Sequence, residues 1–165
     1  ETMLERTLGG VALADVDDPG ALGRVGCWVA DGIKARTVVA LVRLRHQLTS
    51  QRGSQATTLL VEEATAIAWG GDQSPIEGTD ALALLSPIPV SDPPPHVRDR
   101  AVTQALGQFE TRLPELNAFA ERRAQALLAD HRRVREAAEA LGRYSVKALL
   151  PADIIGLFVL MPKVN

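Results

Sequence analysis

Between residues 36 and 69 the chain alternates apolar and polar side chains, and that period limits what it can fold into. Val38, Ala40, Val42, Leu44 and Leu48 share one parity, while Arg43, Arg45 and Gln47 hold the other. A period of two in a stretch rich in Val and Leu means a strand with one face in a core and the other toward water. Residues 49–54 read as a polar loop. Residues 57–69 resume the pattern, with Leu59, Val61, Ile67 and Trp69 on one parity. Two such runs around a short polar loop predict a β-hairpin. Pairing about that loop brings Arg43 beside Glu62 or Glu63, a cross-strand ion pair worth at most about 1 kcal/mol. Neighbouring residues on a strand point to opposite faces, so Glu62 and Glu63 cannot work together as an acid–base pair. The expectation is that one is solvated and the other ion-paired.

After the hairpin the period changes. Thr79 or Asp80 can cap a short helix that runs to Leu85 and is ended by Pro87 and Pro89. Residues 91–95, with three consecutive prolines, read as a stiff extended linker. Residues 96–110 and 113–141 are rich in Ala, Leu, Glu, Gln and Arg and predict two long helices, with Pro114 in the first turn of the second. Gly142 is placed to stop that helix. Residues 143–150 and 154–161 then predict two short strands. The second is apolar almost throughout, so it belongs at the centre of a sheet or under cover on both faces. Asp15-Val16-Asp17-Asp18-Pro19-Gly20 is a turn. The expected class is α+β, with an antiparallel sheet of N-terminal hairpin and C-terminal strands packed against a pair of long helices. One domain covers 1–165, with a hairpin part at 1–90, a helical part at 91–142 and closing strands at 143–165.

Reaction chemistry is hard to find in this sequence. His46, His96 and His131 are scattered over strand, linker and helix, without the spacing of a helical metal pair. His46 falls on the apolar parity of its strand, where a satisfied, half-buried ring is expected. Cys27 is the only cysteine, so it forms no intrachain disulfide, and beside Val25 and Trp28 it reads as a small buried hydrophobe. The Asp15–Gly20 stretch lacks the bidentate glutamate of a calcium loop. Gly9-Gly10 and Gly70-Gly71 belong to no phosphate-binding pattern. No catalytic residue, metal site or cofactor is therefore expected in this chain. No apolar run approaches the roughly 20 residues that cross a bilayer, and no leader is recognisable. The expectation is a cytoplasmic protein with no membrane partner. Glu1 opens the chain without a methionine, which suggests a segment of a longer protein.

A net charge of −2 hides an asymmetry. Residues 1–90 carry seven basic and eleven acidic side chains, and residues 91–165 carry eleven basic and nine acidic. In the second part the cations gather between Arg122 and Arg143. Arg122, Arg123, Arg132, Arg133 and Arg135 are the candidate nucleic-acid contacts, because tracking a phosphate backbone needs only such charges. The alternative is a solvated helix face, paired at i+3 or i+4 with Asp130, Glu136 and Glu139.

The run His131-Arg132-Arg133-Val134-Arg135, followed by Leu150-Pro151-Ala152-Asp153-Ile154-Ile155-Gly156 and the apolar stretch to Pro162, resembles the extreme C-terminus of bacterial Swi/Snf-like, superfamily-two helicases. The basic strand, polar loop and Glu62-Glu63 return strand are similar to a more loosely matching segment of the same helicase tails. The resemblance implies a non-catalytic C-terminal accessory domain of an ATP-dependent motor. ATP binding and hydrolysis would belong to other parts of the parent chain. The implied partners are the motor lobes of that chain, with DNA or another protein as further candidates. The alternative is a stand-alone protein- or nucleic-acid-binding module built around the basic helix.

Overall fold

The computed structural model describes residues 25–71, 74–136 and 143–163. The strands are β1 (Val25–Ala30), β2 (Thr37–Arg52), β3 (Gln55–Gly70), β4 (Ile76–Glu77), β5 (Arg143–Ala148) and β6 (Asp153–Pro162). A short helix α1 (Thr79–Ala83) and a long helix α2 (Pro95–Glu136) lie between β4 and β5. The six strands form one sheet in the order β1-β6-β2-β3-β4, with β5 also paired to β2. β5 runs antiparallel to β2, from His46↔Ala148 to Gln51↔Arg143. β4 is antiparallel to β3. β1 is parallel to β6, from Val25↔Leu157 to Ala30↔Pro162. The class is α+β, as the pattern predicts, and apolar β6 lies between β1 and β2.

The hairpin is longer than its alternation suggests. Each arm has 16 residues, and only Gly53 and Ser54 remain as the turn. Gly53 has φ 58°, and among the described residues only glycines have a positive φ. A left-handed glycine at the first of two turn positions is the type II′ arrangement, whose twist matches that of paired strands. The polar residues 49–51 are strand because β5 supplies their backbone partners.

Helix α2 runs through Pro114 without a break, giving one 42-residue helix where the sequence predicts two. The ring denies the Glu110 carbonyl its amide partner, at a cost of about 3 kcal/mol relative to alanine. Burial on both sides offsets it. Ala101, Val102, Ala105 and Phe109 are buried before the proline, and Leu116, Phe119, Ala120 and Ala124 after it. Each large apolar side chain contributes about 1.5–3 kcal/mol. At α1 the cap residue is Gly78, and no side chain caps the helix, so neither Thr79 nor Asp80 has the expected role. Residue 91 is more than linker, because Val29 donates to the Ser91 carbonyl at 2.9 Å and Val90 donates to Val29. The turn at 15–20, residues 137–141 and Gly142 lie outside the described residues.

Two compact units are present, and β2, β3 and α2 contribute to both. The first takes the described residues up to Val42, Ala64–Arg112, and those from Ile154 onward. Its core joins Val39, Leu41, Ala66, Ala68, Phe158 and Leu160, and Trp28 packs on Phe158 with ring centroids 5.5 Å apart. Cys27 is buried there, as expected, and burial raises its thiol pKa. The second unit takes Arg43–Glu63 and Leu113–Asp153. Leu44, Leu116, Phe119 and Ala148 are buried in it.

Candidate functional site

The five predicted arginines all lie on α2, but they are not equivalent. Arg123 turns to the sheet. Its Nε donates to Glu63 Oε1 at 2.8 Å and its Nη2 donates to Oε2 at 3.0 Å, a bidentate pair. A guanidinium held this way ties helix to strand and is not presented to a phosphate backbone. Arg122 is exposed and lines a groove of about 860 Å³ in the second unit, together with Glu121, Gln125, Lys147 and Leu150. Arg132, Arg133 and Arg135 occupy the last turns of α2; their side chains lie outside the described residues.

Glu62 and Glu63 do point to opposite faces, but both are ion-paired. Glu62 Oε1 lies 3.2 Å from Arg45, whose guanidinium also meets Asp153 at 3.1 Å. Arg45 therefore takes the partner that the sequence assigns to Arg43. Loop length explains the change. Counting back from a two-residue turn sets residue 45 opposite 62, whereas pairing Leu48 with Thr57, the facing ends of the two predicted runs, sets 43 there. A slip of two residues leaves every side chain on its face and changes only its neighbour. These half-exposed pairs contribute about 0–1 kcal/mol.

On the other face, Glu63 also approaches His46. The ring is fully buried, and neither nitrogen has a hydrogen-bond partner among the described residues. Its Nε2 is 3.8 Å from Glu63 Oε1, beyond hydrogen-bond range. The satisfied, half-buried histidine expected from the sequence is thus buried and unsatisfied. Burial lowers its pKa, against the raising effect of the Glu63 carboxylate. The Arg123 hydrogen bonds lower the pKa of Glu63, with burial opposing. A ring with no exposed surface cannot reach a substrate, so the His46–Glu63–Arg123 cluster is architectural.

A different feature is open to a partner. Residues 55–60 on β3 are all exposed, and Leu59 and Leu60 remain 58% and 54% accessible. β3 has β2 on one side, and β4 joins the other side only at Ile67 and Ala68. Among the described residues, the outer edge of β3 is therefore unpaired over its first half. The alternating pattern assigns Leu59 to a core, and the structure removes it from one. A readable signal was present in Gln55-Ala56-Thr57-Thr58-Leu59-Leu60-Val61, which has no charge, proline or glycine. Native edges are normally blunted by such residues.

Among the described residues, no three His, Cys, Asp or Glu side chains are grouped to hold a metal. No described helix is long and apolar enough to cross a membrane. A family model, "Domain of unknown function (DUF8741)", matches residues 14–165, and the chain belongs to that family. No curated protein and no solved structure matches the chain.

Proposed function

We propose that this DUF8741 domain is a non-catalytic accessory module of a bacterial Swi/Snf-like ATP-dependent helicase, and that it works by docking. The motor assignment rests on the resemblance carried by His131-Arg132-Arg133-Val134-Arg135, by the Leu150-Pro151-Ala152-Asp153 corner and by the Glu62-Glu63 strand. The docking assignment rests on one observation, the uncharged outer edge of β3 with Leu59 and Leu60 exposed. A strand edge of this kind gains backbone hydrogen bonds from a partner strand and specificity from the side chains beside it. Depletion of charge is also the mark of an interface centre. The occupant on this reading is a motor lobe of the parent chain. ATP hydrolysis stays with that motor, in the cytoplasm, and needs no cofactor from this domain.

Leu59→Lys with Leu60→Lys in the full-length protein tests the reading. DNA-stimulated ATP hydrolysis changes if the edge positions the motor and is unaltered if it does not. A second reading, nucleic-acid contact, is favoured by exposed Arg122 and by Lys147 in the same groove. It extends to Arg132, Arg133 and Arg135. Duplex binding would then fall steeply with salt, as counterions are released from neutralised phosphates.

A further inference from the structure

The hairpin register fixes which backbone groups of β3 point away from the sheet. Across a two-residue turn the flanking residues, 52 and 55, exchange both backbone hydrogen bonds, and the pattern repeats at every second residue. Odd-numbered residues of β3 therefore turn their backbone groups to β2, and even-numbered residues turn theirs outward. Two bonds outside the hairpin agree. Leu149 donates to the Arg45 carbonyl at 2.8 Å, so residue 45, opposite 62, turns its backbone away from β3. Gly78 donates to the Ala66 carbonyl at 2.8 Å, on the outer side of β3. Ala56, Thr58, Leu60 and Glu62 thus present their N–H and C=O groups at the edge, with no strand beside them among the described residues.

Farther along, β4 shows what this edge accepts. It lies antiparallel to β3 at Ile67↔Glu77 and Ala68↔Ile76, and then Gly78, with φ 68°, carries the chain off into α1. Side chains narrow the occupant of the open part. Leu59 shares the face of Glu63 and its partner Arg123, whereas Leu60 shares the face of Glu62 and Arg45. Exposed neighbours on opposite faces cannot both be covered by a helix laid on one of them. A strand covers both, because its own side chains alternate. Residues 55–61 carry no charge, so a charged side chain set beside them would lose water without gaining a partner.

We propose that the β3 edge receives an uncharged, extended segment of a partner protein, added as the next strand of the sheet. Its backbone pairs with Ala56, Thr58, Leu60 and Glu62, and consecutive apolar side chains on it lie beside Leu59 and Leu60. This strand addition rests on the docking reading above and names the element that docks.

Amide hydrogen exchange of the whole chain, alone and with the peptide acetyl-Lys-Thr-Val-Ile-Val-Thr-Lys-amide, tests it. In the free chain the amides of Thr58, Leu60 and Glu62 exchange rapidly. Those of Leu59, Val61 and Glu63, bonded to β2, are slower by about a hundredfold or more. The peptide binds saturably at or below about 1 mM and slows exchange at Thr58, Leu60 and Glu62. Proline in place of its isoleucine weakens binding at least about tenfold. Thr58→Pro removes an outward donor, keeps both leucines and weakens peptide binding by about tenfold or more, while Thr58→Val stays within about twofold. An edge strand tolerates proline where its N–H faces outward, and exchange in the native sequence tests the same geometry without a substitution. Rapid exchange at Leu59 with slow exchange at Leu60, or no protection of the outer amides by the peptide, overturns strand addition. In the ATP hydrolysis assay above, an effect of Leu59→Lys with Leu60→Lys but none of Thr58→Pro overturns strand addition and leaves docking in place. No effect of either removes the docking reading itself. Dimerisation of the chain alone, lost in Thr58→Pro, makes the occupant a second copy and overturns the assignment to another protein.

Discussion

Arg123 on α2 holds both carboxylate oxygens of Glu63 on β3, at 2.8 and 3.0 Å, across 60 positions of sequence. The arginine side chain is 40% exposed and the glutamate 24%, so solvent screens part of the interaction. Arg123→Met is expected to cost about 1–2 kcal/mol in urea unfolding, because it leaves a partly buried carboxylate without its donors. Adding Glu63→Gln recovers part of that loss, and the double-mutant cycle reads the coupling.

His46 and Glu63 make stability fall on acidification. His46 has its folded pKa below the ordinary 6.5, so below that pH the unfolded chain gains a proton that the folded ring refuses. Stability therefore rises with pH through that window. Glu63 has its folded pKa below the ordinary 4.5. Its contribution is complete above that value and is lost as pH falls through the folded pKa. Two limbs are expected in a plot of unfolding free energy against pH. His46→Leu removes the upper limb and, by eliminating two unpaired nitrogens, raises stability at pH 7 by about 1–2 kcal/mol.

Pro114 sits inside α2 with helix on both sides. Pro114→Ala restores an amide donor for the preceding turn and is expected to stabilise the chain by about 1–3 kcal/mol. A thermal scan with far-ultraviolet circular dichroism reads this as a higher midpoint with unchanged helix content.

Gly53 has φ 58° at the head of the hairpin turn, and nothing lies near the position of an added Cβ. The cost of Gly53→Ala is therefore conformational alone. It should be about 1 kcal/mol, measured as a lower urea midpoint with no change in slope.

Much of the fold was legible because periodicity survives small errors in register. The faces of His46, Glu62 and Glu63 follow from parity, and a slip of two residues does not alter them. The partner of Glu62 was not legible, since Arg43 and Arg45 share a face and only turn length selects between them. The helix through Pro114 was hidden because burial at Phe109, Leu116 and Phe119 outweighs a local preference. β1 was missed because it is short and pairs in parallel with a strand at the far end of the sequence. Of the candidate site, sequence located the arginines on a helix but could not show that Arg123 turns inward to Glu63. The open β3 edge depends on which strand stands beside it, which no local pattern records.

If the proposed helicase reading holds, the most direct test of docking is the affinity of this domain for separately produced motor lobes of that helicase. It is measured by titration calorimetry for the native sequence and for Leu59→Lys with Leu60→Lys. The variant should retain its unfolding midpoint, since both side chains are already exposed. Its affinity should fall at least about thirtyfold, the effect of losing roughly 2 kcal/mol at an interface centre. Equal affinity for the two proteins, or no binding by the native domain, would contradict the account.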